Sequence, residues 1–393
     1  MLKLGAGSAV PSFRVMDVVM AANAQAALQA PGHPKILRME MGQPGTGLPR
    51  GARQAVAAAM QSGNVLGYTE ALGRISLRQR IAAHYMDWYG VKIDPAKIAV
   101  TFGASGAFPL AYLSSFNPGD HIALAAPYYP PYINIATALG LQPVVLPCGP
   151  ETGFQPTVAM LQALDPAPDG LVIASPANPT GSMLSPEDLR ALAQYCHGAG
   201  IRLISDEIYH GLTFGKPVAT AAQFSESAIV INSFSKYFSM TGWRIGWMVL
   251  PDDMVRTTER LAQNFFVSPP HISQVAAEAA FDCHDELQAN RAGYAHAREL
   301  LLEALPQAGF PSFAPPDGAF YLYLDCSLYE ADSTDFCHRL LMEAGIAATP
   351  GHDFDSDRGR QFFRFSYCAA LFDIEDAILR LRRLRDKSRL TPP

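Results

Sequence analysis

Six short apolar runs punctuate the chain between residues 98 and 233: Ile98–Thr101, His121–Ala126, Pro143–Leu146, Leu171–Ser175, Ile201–Ser205 and Ile229–Ser233. They are rich in Ile, Val, Leu and Ala with little polar alternation, the pattern of strands covered on both faces. Between them apolar positions return at helical spacing, as at Leu77, Ile81, Tyr85 and Trp88, and again at Leu189, Leu192, Ala193 and Cys196. The second set follows Ser185-Pro186-Glu187-Asp188, which supplies a capping hydroxyl, a proline for the first turn and two acids for the positive end of the helix dipole. Strands alternating with helices predict an α/β fold with a mostly parallel central sheet. After residue 250 the texture changes. Helical periods fill Val255 to Ala304, and then come a strand-like Ala319–Leu324, a helix over Thr334–Ala344, a strand-like Phe362–Ser366 and a last helix from Ile374. This is the make-up of a smaller α+β domain. The segment before residue 46 does not continue the alternation and is expected to pack with the C-terminal part. That divides the chain into a large domain over 46–290 and a small one formed by 1–45 and 291–393.

Composition narrows the class of protein. Of the 393 residues, 49% are hydrophobic and 17% charged, so a sizeable core is easily buried and long disorder is not expected. A net charge of −6 argues against nucleic acid or an anionic membrane as partner. The densest basic group, Arg380, Arg382, Arg383, Arg385, Lys387 and Arg389, follows Glu375 and Asp376 and reads as the solvated face of the last helix. Cys148, Cys196, Cys283, Cys326, Cys337 and Cys368 lie near apolar neighbours, with no Cys-x-x-Cys pair and no histidine cluster at metal spacing. Reduced, buried thiols in a cytoplasmic protein, and no metal, are therefore expected. No apolar run is long enough to span a membrane, and Met-Leu-Lys-Leu-Gly-Ala-Gly at the start lacks the continuous run of a signal peptide.

Ligands of open α/β sheets bind beyond the carboxyl ends of the strands, so the residues that follow each predicted strand are the candidates. Phe102-Gly103-Ala104-Ser105-Gly106-Ala107 opens a helix with small residues, either a tight turn or a phosphate cradle. Pro127-Tyr128-Tyr129-Pro130-Pro131-Tyr132 places aromatic rings at a strand end, for core packing or for stacking on a flat ligand. Pro176-Ala177-Asn178-Pro179-Thr180-Gly181 reads alone as an Asn-Pro turn. Asp206, Glu207 and Tyr209 follow the next strand; a carboxylate there needs a partner, although Glu207 could be a surface acid. Lys236 follows Phe234-Ser235, where a buried amine acquires a shifted pKa and covalent chemistry. Arg244, within Thr241-Gly242-Trp243-Arg244-Ile245-Gly246, calls for a buried anion. A phosphate cradle, a ring stacker, an amide, an acid, an amine and a guanidinium on one sheet edge suit a phosphorylated aromatic aldehyde held as a Schiff base.

In the order and spacing of these motifs the sequence resembles the class I/II aminotransferases of the pyridoxal-phosphate fold type I, over nearly the whole chain. Asn178-Pro179-Thr180-Gly181, Ser205-Asp206-Glu207-Ile208-Tyr209 and Ser233-Phe234-Ser235-Lys236 with Gly242-Trp243-Arg244-Ile245-Gly246 carry the likeness most specifically. Gly42-Gln43-Pro44 is similar to the family's glycine-acid-proline turn, with Gln in place of the usual acid. Tyr68-Thr69, Gly73 and Leu77-Arg78 resemble its dimer-contact segment, and Phe363-Arg364-Phe365-Ser366 its carboxylate-binding arginine motif. The resemblance implies pyridoxal 5'-phosphate as cofactor and Lys236 as the residue joined to it. Asp206 would face the pyridine nitrogen, Asn178 and Tyr209 the ring oxygen, and Tyr129 the ring itself. Ala104, Ser105, Ser233, Ser235 and Arg244 would hold the phosphate, joined by Tyr68 from the second subunit of a homodimer. Arg364 would clamp the substrate α-carboxylate with Gly42 and Asn178.

The activity so implied is transfer of an amino group from an L-amino acid to a 2-oxo acid by a ping-pong mechanism. Same-fold enzymes use the same set for C–S β-elimination or for ring closure. A cofactor-binding regulator would need a basic DNA-binding domain before residue 50, which the sequence lacks, and a non-catalytic homologue would not need the full set. The donor stays open. Arg14, Lys35 and Arg38 are the cations near the N-terminus that could meet a side-chain carboxylate, or else plain surface charge. Phe13, Tyr128 and Tyr321 could line a pocket for an apolar or aromatic side chain, or lie in the core.

Overall fold

The computed structural model describes residues 2–29 and 32–388. Its central sheet has seven strands: β1 (Ile98–Thr101), β2 (His121–Ala126), β3 (Gln142–Pro147), β4 (Gly170–Ala174), β5 (Arg202–Asp206), β6 (Ile229–Ser233) and β7 (Gly246–Val249). Their spatial order is β1-β7-β6-β5-β4-β2-β3. Strands β2 to β6 run parallel, and β7 runs antiparallel to both β1 and β6. The six predicted strands are all present. The seventh, β7, starts at Gly246, the last residue of the stretch 241–246 read for its arginine, and no strand is predicted there. Its four residues are too few to show a period, and each is buried.

Helices cover both faces of the sheet, as continuous burial of β1, β6 and β7 requires. Two bear on the site: α2 (Gly103–Ser115) directly after β1, and α3 (Pro131–Ala138) after β2. The helix over Pro186–Ala199 is capped as its sequence predicts. Ser185 Oγ accepts from the Asp188 amide at 3.1 Å, and Gly200 closes the helix in the left-handed region at φ 71°.

A second sheet, β8 (Tyr321–Asp325), β9 (Thr349–Pro350) and β10 (Phe362–Ser366), is antiparallel in the order β9-β10-β8. The N-terminal segment packs with this part of the chain: Leu37–Arg38 pairs in parallel with Ile346–Ala347, and α1 (Arg14–Leu28), a helix the sequence reading did not place, reaches β9. The expected boundary at residue 290 falls inside a continuous helix over His284–Gln307. Of the basic group on the last helix (Leu371–Ser388), Arg380 is not a solvated charge. Its guanidinium donates to the carbonyls of Lys35 (3.0 Å) and Ala344 (3.1 Å) and to Asp376 (2.7 Å), which joins that helix to the N-terminal segment. Arg389 lies outside the described residues.

Candidate active site

Three neighbouring parallel strands deliver the central groups. Asn178 follows β4, Asp206 ends β5 and Lys236 follows β6, so the strand order β4-β5-β6 sets them across about 10 Å of sheet edge. The antiparallel β7 then closes the site. Its first residue, Gly246, is paired with Thr101 on one side and Ser233 on the other. That register brings Arg244 to the first turn of α2, where its Nη2 donates to Ser105 Oγ at 3.2 Å. Glycine is required here. A Cβ on Gly246 would lie 2.9 Å from the Gly103 carbonyl carbon, and one on Gly103 would lie 2.8 Å from Arg244 Nη2. Arg244 holds a left-handed backbone (φ 50°), an unusual state for a side-chain-bearing residue. Ala104 and Ser105 at the start of α2, Ser235 and Arg244 line the same cavity, an arrangement that with the helix dipole can receive an anion.

Asp206 is 3% exposed, and burial pushes its carboxyl up to about 6. The Tyr132 hydroxyl and the Ile208 amide (3.0 Å) donate to it and work against that rise, and so does the Lys236 charge through space. The cationic partner expected for a buried strand-end acid is not in direct contact: among the described residues Asp206 makes no direct ion pair, and its hydrogen-bond donors are the neutral Tyr132 hydroxyl and Ile208 amide. Glu207 is buried too, not a surface acid, and accepts from Ser205 Oγ (3.0 Å) and the Ala221 amide (2.8 Å). Lys236 Nζ donates to the Gly42 carbonyl at 2.6 Å. Burial brings its amine down to about 8, helped by the charges of Arg364 and Arg244, so a neutral, nucleophilic fraction exists near neutral pH.

Arg364, 3% exposed, projects from β10 into the same cavity. Its Nη1 donates to Asn178 Oδ1 (2.8 Å) and its Nη2 to the Glu40 carbonyl (2.6 Å), while Nε is buried without a partner. The Tyr321 ring lies 4.6 Å from the guanidinium carbon. Tyr321 also bonds Tyr209, hydroxyl to hydroxyl at 2.8 Å, and its hydroxyl occupies the place a Cβ on Gly42 would need. Gly42 is thus fixed by close approach.

These groups surround a cavity of about 340 Å³. Every residue expected at the site lines it except Ser233 and Tyr68. Ser233 stands behind, its Oγ 2.9 Å from Ser235 Oγ. Tyr68 is 86% exposed and away from this chain's cavity. Tyr129 is half-buried at the wall, edge-on to Phe13 and to Tyr132. Phe13 and Tyr321 line the cavity, whereas Tyr128 does not. Val15, Met16 and Val19 of α1 with Ile135 form an apolar stretch of the wall, and the polar residues Glu40, Gln43 and Thr241 line the cavity as well. Among the described lining residues the cations are Lys236, Arg244 and Arg364. Lys35 is taken up by Asp373 at 2.5 Å and Arg38 by Glu40 at 2.6 Å, and Arg14 does not reach the cavity. Among the described residues no cluster of three or more His, Cys, Asp or Glu could hold a metal ion, and no helix is long and apolar enough to cross a membrane.

Tyr132 on Asp206 and the α1 wall were not legible in the sequence. Tyr132 sits in the aromatic run after β2, but only the start of α3 at Pro131 decides which ring turns to the acid.

An anion cradle, a buried acid, an amine of lowered pKa and a second guanidinium can bind a phosphorylated heteroaromatic aldehyde beside a carboxylate. Comparison with known proteins agrees. Residues 34–378 match the family described as aminotransferase class I and II. The chain is 46% identical over 376 residues to a valine–pyruvate aminotransferase of Mycobacterium tuberculosis, covering 95% of this chain and 96% of that protein. Among solved structures it is similar to an aminotransferase from Mycobacterium tuberculosis, at a TM-score of 0.95 and 44% identity over 98% of this chain and 100% of the other. It is also similar to an aspartate aminotransferase from Thermus thermophilus with maleate, at a TM-score of 0.91 and 28% identity over 98% and 100% of the two chains.

Proposed function

The chain belongs to the class I and II aminotransferases, and from that premise we infer that its amino donor is an amino acid with an apolar side chain. Aminotransferase activity and dependence on pyridoxal 5'-phosphate come with the family. The cofactor supplies a conjugated ring that takes up the electrons left when the substrate Cα proton departs. The residues present fit it: Ala104, Ser105, Ser235 and Arg244 for the phosphate, with Ser233 behind, Asp206 for the ring nitrogen, Asn178 and Tyr209 for the ring oxygen, Tyr129 for the ring face and Lys236 for the aldehyde.

Each side chain then has a task. Asp206, ionised, holds a proton on the ring nitrogen, and the Tyr132 hydroxyl keeps that carboxylate charged in spite of its burial. Arg364 takes the substrate α-carboxylate on its guanidinium and, bonded to Asn178 and backed by the Gly42 turn, fixes it in one orientation. Lys236 Nζ removes the Cα proton as general base, a contribution of roughly 10²–10⁴-fold. The same groups serve the second half-reaction, in which a 2-oxo acid receives the amino group.

The donor class rests on one observation: α1 gives the cavity an apolar stretch of wall, and among the described lining residues no cation beyond Lys236, Arg244 and Arg364 is left for a side-chain carboxylate. The name of the valine–pyruvate relative supports the same reading. With pyruvate as acceptor, kcat/KM for valine or isoleucine is expected to exceed that for aspartate by about 10²-fold, since an unpaired carboxylate in an apolar pocket is costly. Initial rates across valine, isoleucine, phenylalanine, alanine and aspartate test this, and aspartate as the preferred donor would refute it.

We further propose a homodimer in which Tyr68 serves the partner's phosphate site. Tyr68 is 86% exposed, beside Val65 (89%), Phe265 (55%) and Val267 (52%), an unusual apolar display for a free surface. The two segments are joined where the Thr69 amide donates to Ser268 Oγ at 3.3 Å. Light scattering should give twice the 42.5 kDa chain mass; a fully active monomer would overturn the proposal.

A further inference from the structure

Helix α1 supplies the cavity wall yet is weakly held by packing. Only Val15 and Ala22 of its fifteen residues are buried, and its own N-cap, Phe13, offers no side-chain hydrogen bond. The cap comes instead from a residue more than 330 positions away. Asp353 Oδ1 accepts from the Arg14 amide and Oδ2 from the Val15 amide, each at 2.9 Å. A carboxylate on two free amides at the positive end of a helix is a strong anchor.

Asp353 is tied just as firmly to the carboxylate clamp. Thr349 of β9 pairs in register with Arg364 of β10, and its Oγ1 lies 3.3 Å from Arg364 Nη2. The chain then runs through Pro350 into the turn Gly351–Asp353. That turn is pinned: a Cβ on Gly351 would lie 2.3 Å from the Gly359 carbonyl oxygen. The next residue, Phe354, sets its ring 4.9 Å from the Arg364 guanidinium carbon. A second tether runs from Asn23 of α1 to Arg38 Nη1 (2.7 Å), and from Arg38 Nε to Glu40 (2.6 Å). The Glu40 carbonyl in turn accepts from Arg364.

We propose that Asp353 is a specificity-determining positioning residue: it holds the apolar α1 wall at a fixed place relative to Arg364, so that a donor clamped by its carboxylate presents its side chain to Val15, Met16 and Val19. This rests on the apolar-donor reading given above. Alanine, whose methyl group is too short to use that wall, serves as the internal control.

The test uses the holoenzyme and the variants Asp353→Asn and Asp353→Glu. Asparagine leaves one acceptor oxygen and turns an N–H toward an amide, so kcat/KM for valine should fall about 10- to 100-fold, chiefly through KM, while the value for alanine stays within about threefold. Glutamate, which keeps both acceptor oxygens, should restore part of the valine value. Hydrogen exchange of the α1 amides in the wild-type holoenzyme should slow on addition of 3-methyl-2-oxobutanoate, and this slowing should vanish in Asp353→Asn. Equal losses for valine and alanine, or no loss for either, would overturn the proposal, as would α1 exchange that the oxo acid leaves unchanged. A wild-type enzyme that prefers aspartate sinks the donor reading, whereas a wild type that prefers valine, with an unaltered valine-to-alanine ratio in the variant, sinks the role of Asp353 alone.

Discussion

Replacement of Lys236 by alanine is expected to lower turnover by about 10⁴-fold, the upper end of what one acid–base group contributes, because the residue combines two roles. It is the amine in the cavity whose pKa burial has brought down to about 8, and its Nζ donates to the Gly42 carbonyl. Alanine removes both the covalent attachment point and the Cα base, but leaves the anion cradle and Asp206 in place. The variant should therefore still bind the cofactor, by noncovalent contacts alone. Borohydride reduction followed by mass measurement of the intact protein should add the cofactor to the wild type and not to the variant. Lys236→Arg should be as inactive as the alanine variant, since a guanidinium keeps the charge but is never neutral at working pH. Turnover within tenfold of wild type in either variant would show that another group holds the cofactor.

The strand framework could be read from the sequence because a parallel sheet buried on both faces leaves unbroken apolar runs. Asn178, Asp206 and Lys236 could be placed for the same reason, since each follows such a run. What escaped depends on long-range geometry. Strand β7 is short and antiparallel, and its position between β1 and β6 is what brings Arg244 to the α2 turn. Helix α1 is exposed along most of its length, so its sequence shows only a weak apolar stripe. Its anchor Asp353 lies 339 positions along the chain from the Arg14 amide it holds. Tyr321 could be read either as a pocket residue or as a core aromatic; the structure puts it at the cavity, its hydroxyl bonded to Tyr209 and set against Gly42, a contact no local pattern shows.

The clamp gives the second large effect. Arg364→Lys should raise KM for valine about 10²-fold, with a smaller change in kcat, and Arg364→Ala should raise it about 10³-fold. The reason lies in the geometry of the guanidinium. Arg364 is already bonded on one nitrogen to Asn178 and on another to the Glu40 carbonyl. These bonds fix the plane of the fork while its face lies against Tyr321. A lysine ammonium can meet a carboxylate as a point charge but cannot also hold Asn178 and the Glu40 carbonyl in that plane. Alanine does more damage, for it strips the charge from the substrate site and leaves Asn178 Oδ1 without its donor in a buried position. Arg244, Ser105 and Asp206, proposed above for the cofactor's phosphate and ring nitrogen, hydrogen-bond to groups other than Arg364 and should be little disturbed, while Asn178, proposed for the ring oxygen, loses its Arg364 partner. Steady-state kinetics with valine, together with the cofactor absorbance of each purified variant, separate the two sites. A loss of bound cofactor with KM unchanged would mean that Arg364 belongs to the cofactor and that the substrate carboxylate is held elsewhere.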